Sequence, residues 1–205
     1  MAQTFTDVVL ATLPLAQTTF AGNANSLGLI ALFGSVIGQE GEQNGFFRVA
    51  QGDKLPSAAP FLTAGAPPFA FTALQSFIVP GSCPENIALL SQNIPTFEAL
   101  DVSTKPVTED TATLEFEVPA SSQVSAESNA IAYLSGQNLP VTVPISNVRA
   151  GGDGKTHFEA EFPFKSAGFA RGLTIAALVK GKGPFTTNKE VADVTINGPG
   201  LIEVN

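Results

Sequence analysis

The chain has 205 residues, of which 44% are apolar and only 14% charged, enough apolar material for a real core and too little charge for a disordered tail. Its net charge of −8 disfavours nucleic acid and anionic membrane as partners, because both need basic patches. A single cysteine, Cys83, excludes an internal disulfide or a thiolate metal cluster, and a single histidine, His157, leaves little for a triad or a histidine-rich metal centre.

Residues 4–23 read as a first helix with Phe5, Val8, Val9, Leu13, Ala16 and Phe20 on its apolar face. Pro14 sits inside it and should kink or split it. Gly22-Asn23-Ala24-Asn25 turns the chain. Residues 26–51 form the longest helical pattern, with Leu27, Ile30, Phe33, Ile37 and Phe47 at helical spacing and Glu40 and Asn44 on the same stripe. Gly34, Gly38, Gly41 and Gly45 recur three or four apart. Each costs about 1 kcal/mol relative to alanine in a helix interior, so the spacing points to close approach by neighbouring helices. Residues 52–95 are rich in Pro and Gly and read as a wrapping loop with one short helix at 68–78.

From Phe97 the period changes to two. Eight short strands are predicted at 97–102, 113–118, 129–134, 141–145, 157–164, 173–179, 191–196 and 201–204. Leu114, Phe116 and Val118 should point inward on one, and Phe158, Ala160, Phe162 and Phe164 on another. This spacing argues for an antiparallel β-sandwich of immunoglobulin-like type, without the cysteine pair and Trp of antibody domains.

Three places could carry chemistry. Glu40-Gly-Glu42-Gln43 has the spacing of a fragment of a carboxylate metal site, although the fourth position is Gln43 and not histidine; the plain alternative is a glutamate at a helix edge. His157 should face outward with Glu159 and Glu161, and Glu115 and Glu117 on another strand complete an acidic face that reads as a solvated sheet surface. Gly151-Gly152-Asp153-Gly154-Lys155-Thr156 lacks the spacing of a phosphate loop and reads as a hairpin turn. Residues 27–37 are apolar but too short to span a bilayer, and Met1 leads into AQTFTD without the basic start or apolar run of a signal peptide.

Three stretches together resemble one family. Gln39–Arg48 (QEGEQNGFFR), Phe77-Ile78-Val79 with Ser82-Cys83-Pro84, and the two ends of the β-region (Pro95-Thr96-Phe97-Glu98-Ala99-Leu100 and Gly198-Pro199-Gly200-Leu201-Ile202-Glu203-Val204) are similar to fungal ferritin-like proteins of the late sexual development or stress-response type, related to plant desiccation-related proteins. In that family the first stretch carries Glu-x-x-His; Glu40, Phe46 and Arg48 match, and Gln43 replaces the histidine. The resemblance implies that only the last two of four bundle helices are present, that Glu40 is a vestigial metal ligand, that Cys83 has lost its partner, and that the protein is secreted.

The expectation from sequence is therefore α+β: a ferritin-like helical hairpin, half of a four-helix bundle, over residues 1–95, followed by an immunoglobulin-like antiparallel β-sandwich over 96–205. The expected function is a non-catalytic structural or assembly protein without a cofactor, in which two chains pair through Gly34, Gly38, Gly41, Gly45, Phe33 and Ile37, or in which the missing bundle half is supplied by another chain. One alternative is a metal-binding ferritin-like protein or oxidase holding iron or manganese at Glu40. A second is an extracellular adhesion or binding module, against which the absence of Trp and the single Tyr133 count.

Overall fold

The computed structural model describes residues 2–52, 56–57, 59–79, 81–82 and 87–204. Cys83, expected as an orphan thiol, lies outside them.

The alternating segments fold as a sheet whose registers follow from the pattern. Strand β1 is Asp101–Val102, β2 Thr113–Pro119, β3 Asn129–Ser135, β4 Val141–Ala150, β5 Lys155–Glu161, β6 Gly172–Lys180 and β7 Thr195–Val204. The strand order is β1-β2-β5-β4-β3-β6-β7, and every neighbouring pair is antiparallel. On β2 and β5, Leu114, Phe116, Phe158 and Ala160 are buried in register, while Glu115 stands opposite Glu159 and Glu117 opposite His157. Strand β4 pairs with β3 up to Pro144 and with β5 from Ile145, and its register shifts between Ser146 and Arg149. A shift of this kind bends a strand and lets it serve two halves of a sheet. At the far ends, the Gly198 amide donates to the Glu98 carbonyl at 2.9 Å, and Leu100 and Val102 press on Gly200 of β7. The seven strands thus form a nearly closed barrel or sandwich.

Eight strands were expected and seven are found among the described residues, because the last two expected strands merge; the first is kept but shortened. The segment 97–102 keeps only two ladder residues, β1. The segment 191–196 opens as a helix, Asn188–Asp193. There the Thr187 hydroxyl accepts from the Glu190 amide at 3.1 Å, while the Glu190 carboxylate takes the Thr186 amide at 2.6 Å. This reciprocal capping arrangement outcompetes the strand propensity of Val191. Strand β7 then absorbs both of the last two expected strands.

The helices correct the expected fold class: among the described residues no four-helix-bundle hairpin is formed. The chain breaks between α1 (Ala2–Leu10) and α2 (Leu13–Ala21), where Pro14 enters the first turn of the second helix. Helix α1 and the residue after it bury Val8 and Ala11 against the outer face of the barrel. There they meet α4 (Pro67–Gln75) through Phe69, the last helix, α6 (Asn188–Asp193), through Val191, and Ala132, Leu134, Ile175, Ala177 and Val179 of β3 and β6. A second cluster inside the barrel holds Phe116, Tyr133, Phe158, Phe162, Leu178 and Ile202. Strand β3 is buried along its whole length because both clusters use it. A short helix, α5, spans Ile87–Asn93.

Helix α3 (Gly28–Ala50) is the exception to apolar packing. It runs 23 residues, yet its only fully buried residues are Asn44 and Arg48. Helix α2, its neighbour, buries none. They meet where Phe20 packs edge-on against Phe33 at 4.8 Å and the Gln17 amide donates to the Ile30 carbonyl at 2.9 Å. A four-helix bundle needs a continuous apolar seam between its helices; here α3 is held instead by a polar attachment to α1 and the end of β7.

Candidate functional site

That attachment is built around Asp7. Residues three or four apart share a helix face, so Gln3 and Asp7 on α1 face Asn44 and Arg48 on α3. The Asn44 amide donates to Asp7 Oδ1 at 2.6 Å, and Arg48 Nη2 to Asp7 Oδ2 at 3.0 Å. Arg48 Nη2 also lies 3.5 Å from Glu203 Oε2 near the end of β7. The Gln3 amide bridges the two carboxylates, at 3.3 Å from Asp7 and 3.2 Å from Glu203, and its carbonyl accepts from Gln51 at 2.8 Å. Asp7, Asn44 and Arg48 are 7%, 5% and 3% exposed. The arrangement satisfies the requirement that a buried charge be both paired and hydrogen-bonded.

Beside this clasp lies an open cavity of about 160 Å³. Asn44, Arg48 and Arg171 give it polar walls; Leu10, Phe61 and Leu173 give it apolar ones. Asn44 Oδ1 is buried and has no hydrogen-bond partner among the described residues.

The outer face of α3 is a different surface. Leu29, Leu32, Val36, Gln39, Gln43, Phe46 and Ala50 are all exposed and recur at alternating intervals of three and four. Leu32 is 56% and Phe46 68% exposed. Val49 adds to the strip, and Glu42 is the one charge along it. Such spacing places side chains in a single seam along a helix.

The residues expected from sequence divide between the two faces. Phe33 and Ile37 are half-buried toward the body, with Phe33 against Phe20. A Cβ on Gly34 would stand 3.3 Å from Gln17 Nε2, and one on Gly45 3.2 Å from the Pro56 carbonyl, so these glycines permit close approach within the chain. Gly38 and Gly41 face open space. Glu40 is half-buried, with no hydrogen bond or ion pair given to it among the described residues, and Glu42 is exposed. Among the described residues no group of three or more His, Cys, Asp or Glu side chains is placed to hold a metal.

The acidic sheet face carries its own cations. Arg149 pairs with Glu115 and approaches Glu159; Lys155 bridges Asp101 at 3.2 Å and Glu117 at 2.6 Å. The Lys155 ammonium and the Ser103 hydroxyl hold the Glu117 carboxyl below the usual range. His157 is framed by Glu115, Glu117 and Asp153 at 3.3–3.9 Å. The hairpin at Gly151–Gly154 is the turn expected, with the Gly151 amide donating to the Lys155 carbonyl at 2.7 Å. This face is a cross-strand ladder of opposite charges.

No protein-family model matches the chain, and no curated protein matches it. No helix among the described residues is long and apolar enough to cross a membrane.

Proposed function

We propose that the protein is a non-catalytic assembly module, and that two copies associate through the exposed seam of α3. The observation that carries this reading is the strip from Leu29 to Ala50, about 32 Å long at 1.5 Å per residue, left uncovered by the chain's own fold. A second copy is the occupant that fits it. An antiparallel two-fold pairing sets Leu29 opposite Phe46, Leu32 opposite Gln43 and Val36 opposite Gln39, and the axis repeats each pair. Each glutamine faces an apolar side chain of the other copy, and polar residues within an apolar seam of this kind fix its register. With Glu42 the one charge on the strip, two chains of net charge −8 meet here with little repulsion.

The energetics set the scale. Leu29, Leu32, Val36 and Phe46 are each about half exposed. Covering the exposed half contributes roughly 1 kcal/mol per side chain, or about 8 kcal/mol for eight. Association costs at least about 4 kcal/mol. The dimer is accordingly weak and concentration-dependent. Light scattering across a concentration series tests it. The expected mass rises from 21.2 kDa toward about twice that value, and Leu32→Glu and Phe46→Glu hold the chain at the lower mass without altering its melting. A wild-type chain that stays monomeric at several hundred micromolar refutes the proposal.

A further inference from the structure

The cavity beside the clasp plays no part in the proposed pairing through α3. Two buried groups in its wall have unspent hydrogen-bonding capacity. Asn44 gives its amide to Asp7, while its Oδ1 is buried with no partner among the described residues. Arg48 is 3% exposed and uses only Nη2 there, on Asp7 and Glu203. An unmet buried acceptor is costly, and a guanidinium has five donors to give. The site therefore asks for a ligand that donates to Asn44 Oδ1 and accepts from Arg48.

Charge narrows the class. Two carboxylates, Asp7 and Glu203, already face the one guanidinium of Arg48, and the second arginine in the wall, Arg171, is paired with Glu109. A third carboxylate entering here would meet repulsion that a neutral carbonyl would not. Leu10, Phe61 and Leu173 form an apolar part of the remaining wall, which also holds Ser57 and Thr63; the Thr63 hydroxyl is already taken by the Leu173 carbonyl and the Gly136 amide. The volume, about 160 Å³, is close to that of a protein cavity of about 150 Å³ known to take up benzene, so a ligand of about six heavy atoms fits. We infer that this cavity binds a small uncharged amide bearing one compact apolar group: the amide N–H to Asn44, its carbonyl to Arg48, and the apolar group against Leu10 and Leu173.

The test uses 2-methylpropanamide and its acid counterpart, 2-methylpropanoate, titrated into the full chain by saturation-transfer NMR at neutral pH. The amide is expected to bind at millimolar concentration, at least fivefold more tightly than the carboxylate, with intermolecular NOEs from its methyl groups to Leu10 and Leu173. Gly41→Leu should weaken binding at least tenfold, since Gly41 lines the cavity and has open space for a side chain. Equal binding of amide and carboxylate, absence of binding by both, or binding untouched by Gly41→Leu and without those NOEs overturns the assignment.

Discussion

Asn44 and Asp7 are 37 positions apart and meet at 2.6 Å, so the attachment of the longest helix rests on a carboxylate near the start of the chain. Arg48, one turn beyond Asn44, completes the attachment on the other oxygen of Asp7. These are the only fully buried residues of α3, so the helix is placed by directional polar contacts where most helices are placed by apolar area.

Arg48→Met should be strongly destabilising. It strips a buried carboxylate of its cation, a change that costs about 3–5 kcal/mol when the pair is desolvated. Adding Asp7→Leu removes the orphaned charge and should recover much of that loss. Urea unfolding of the wild type, both single variants and the double variant measures the coupling. A double variant no more stable than Arg48→Met would show that the pair is not the anchor.

The antiparallel strands were legible in the sequence because each reports its own period, whereas their curling into a nearly closed sheet, and not an immunoglobulin-like sandwich, depends on pairings that no single strand announces. Leu114, Phe116 and Val118 announce their face whatever surrounds them. The helical half was not, because a stripe of apolar residues says that something must be covered and not by what. Val8 belongs to the face expected to line a hairpin and instead packs in the cluster over Ile175, Ala177 and Val179 of β6. The i, i+4 pairs Gln3/Asp7 and Asn44/Arg48 were visible, but their meeting depends on a tertiary contact with no local signature. Thr187-Asn188-Lys189-Glu190 was a readable capping signal, and the strand propensity of Val191 obscured it. The second stripe of α3, Leu29-Leu32-Val36 and Phe46, has the same spacing as the stripe through Phe33 and Ile37, and spacing alone does not say which of two stripes faces the body.

Tyr133 should be silent to alkali until the fold gives way. It is fully buried in the barrel, its hydroxyl donates to the Glu161 carbonyl at 2.9 Å, and its ring meets Phe162 and Phe169 edge-on. Burial, and secondarily the Glu161 charge, raises its pKa well above the ordinary value. In the unfolded chain the phenol ionises near pH 10. Above that pH the unfolded state therefore binds fewer protons than the folded one, and stability falls as pH rises. Because Tyr133 is the sole tyrosine of the chain, tyrosinate absorbance reads one site. It should appear in step with loss of circular dichroism. Tyr133→Phe should cost about 1 kcal/mol below pH 9 and make stability fall less steeply above pH 10. Tyrosinate forming near pH 10 in a folded chain would contradict the burial argument.

Two glycines with opposite surroundings make a paired test of barrel closure. A Cβ on Gly200 would lie 3.2 Å from Leu100 Cδ2 and 3.3 Å from Val102 Cγ2, the side chains that bring β1 back against β7. Gly200→Ala overpacks that closure and should cost about 1–3 kcal/mol. Its first effect should be local, with faster amide exchange at Gly198, whose N–H is bonded to Glu98 across the same junction. Gly38→Ala acts in the other direction. That position lies inside α3 with nothing within 4 Å, so alanine adds no clash and removes a helix penalty of about 1 kcal/mol. Chemical unfolding should therefore separate the two substitutions by roughly 2–4 kcal/mol, the sum of the two opposed effects. Equal stabilities would mean that β1 is free to slide away from β7 and that the barrel is not closed through Gly200.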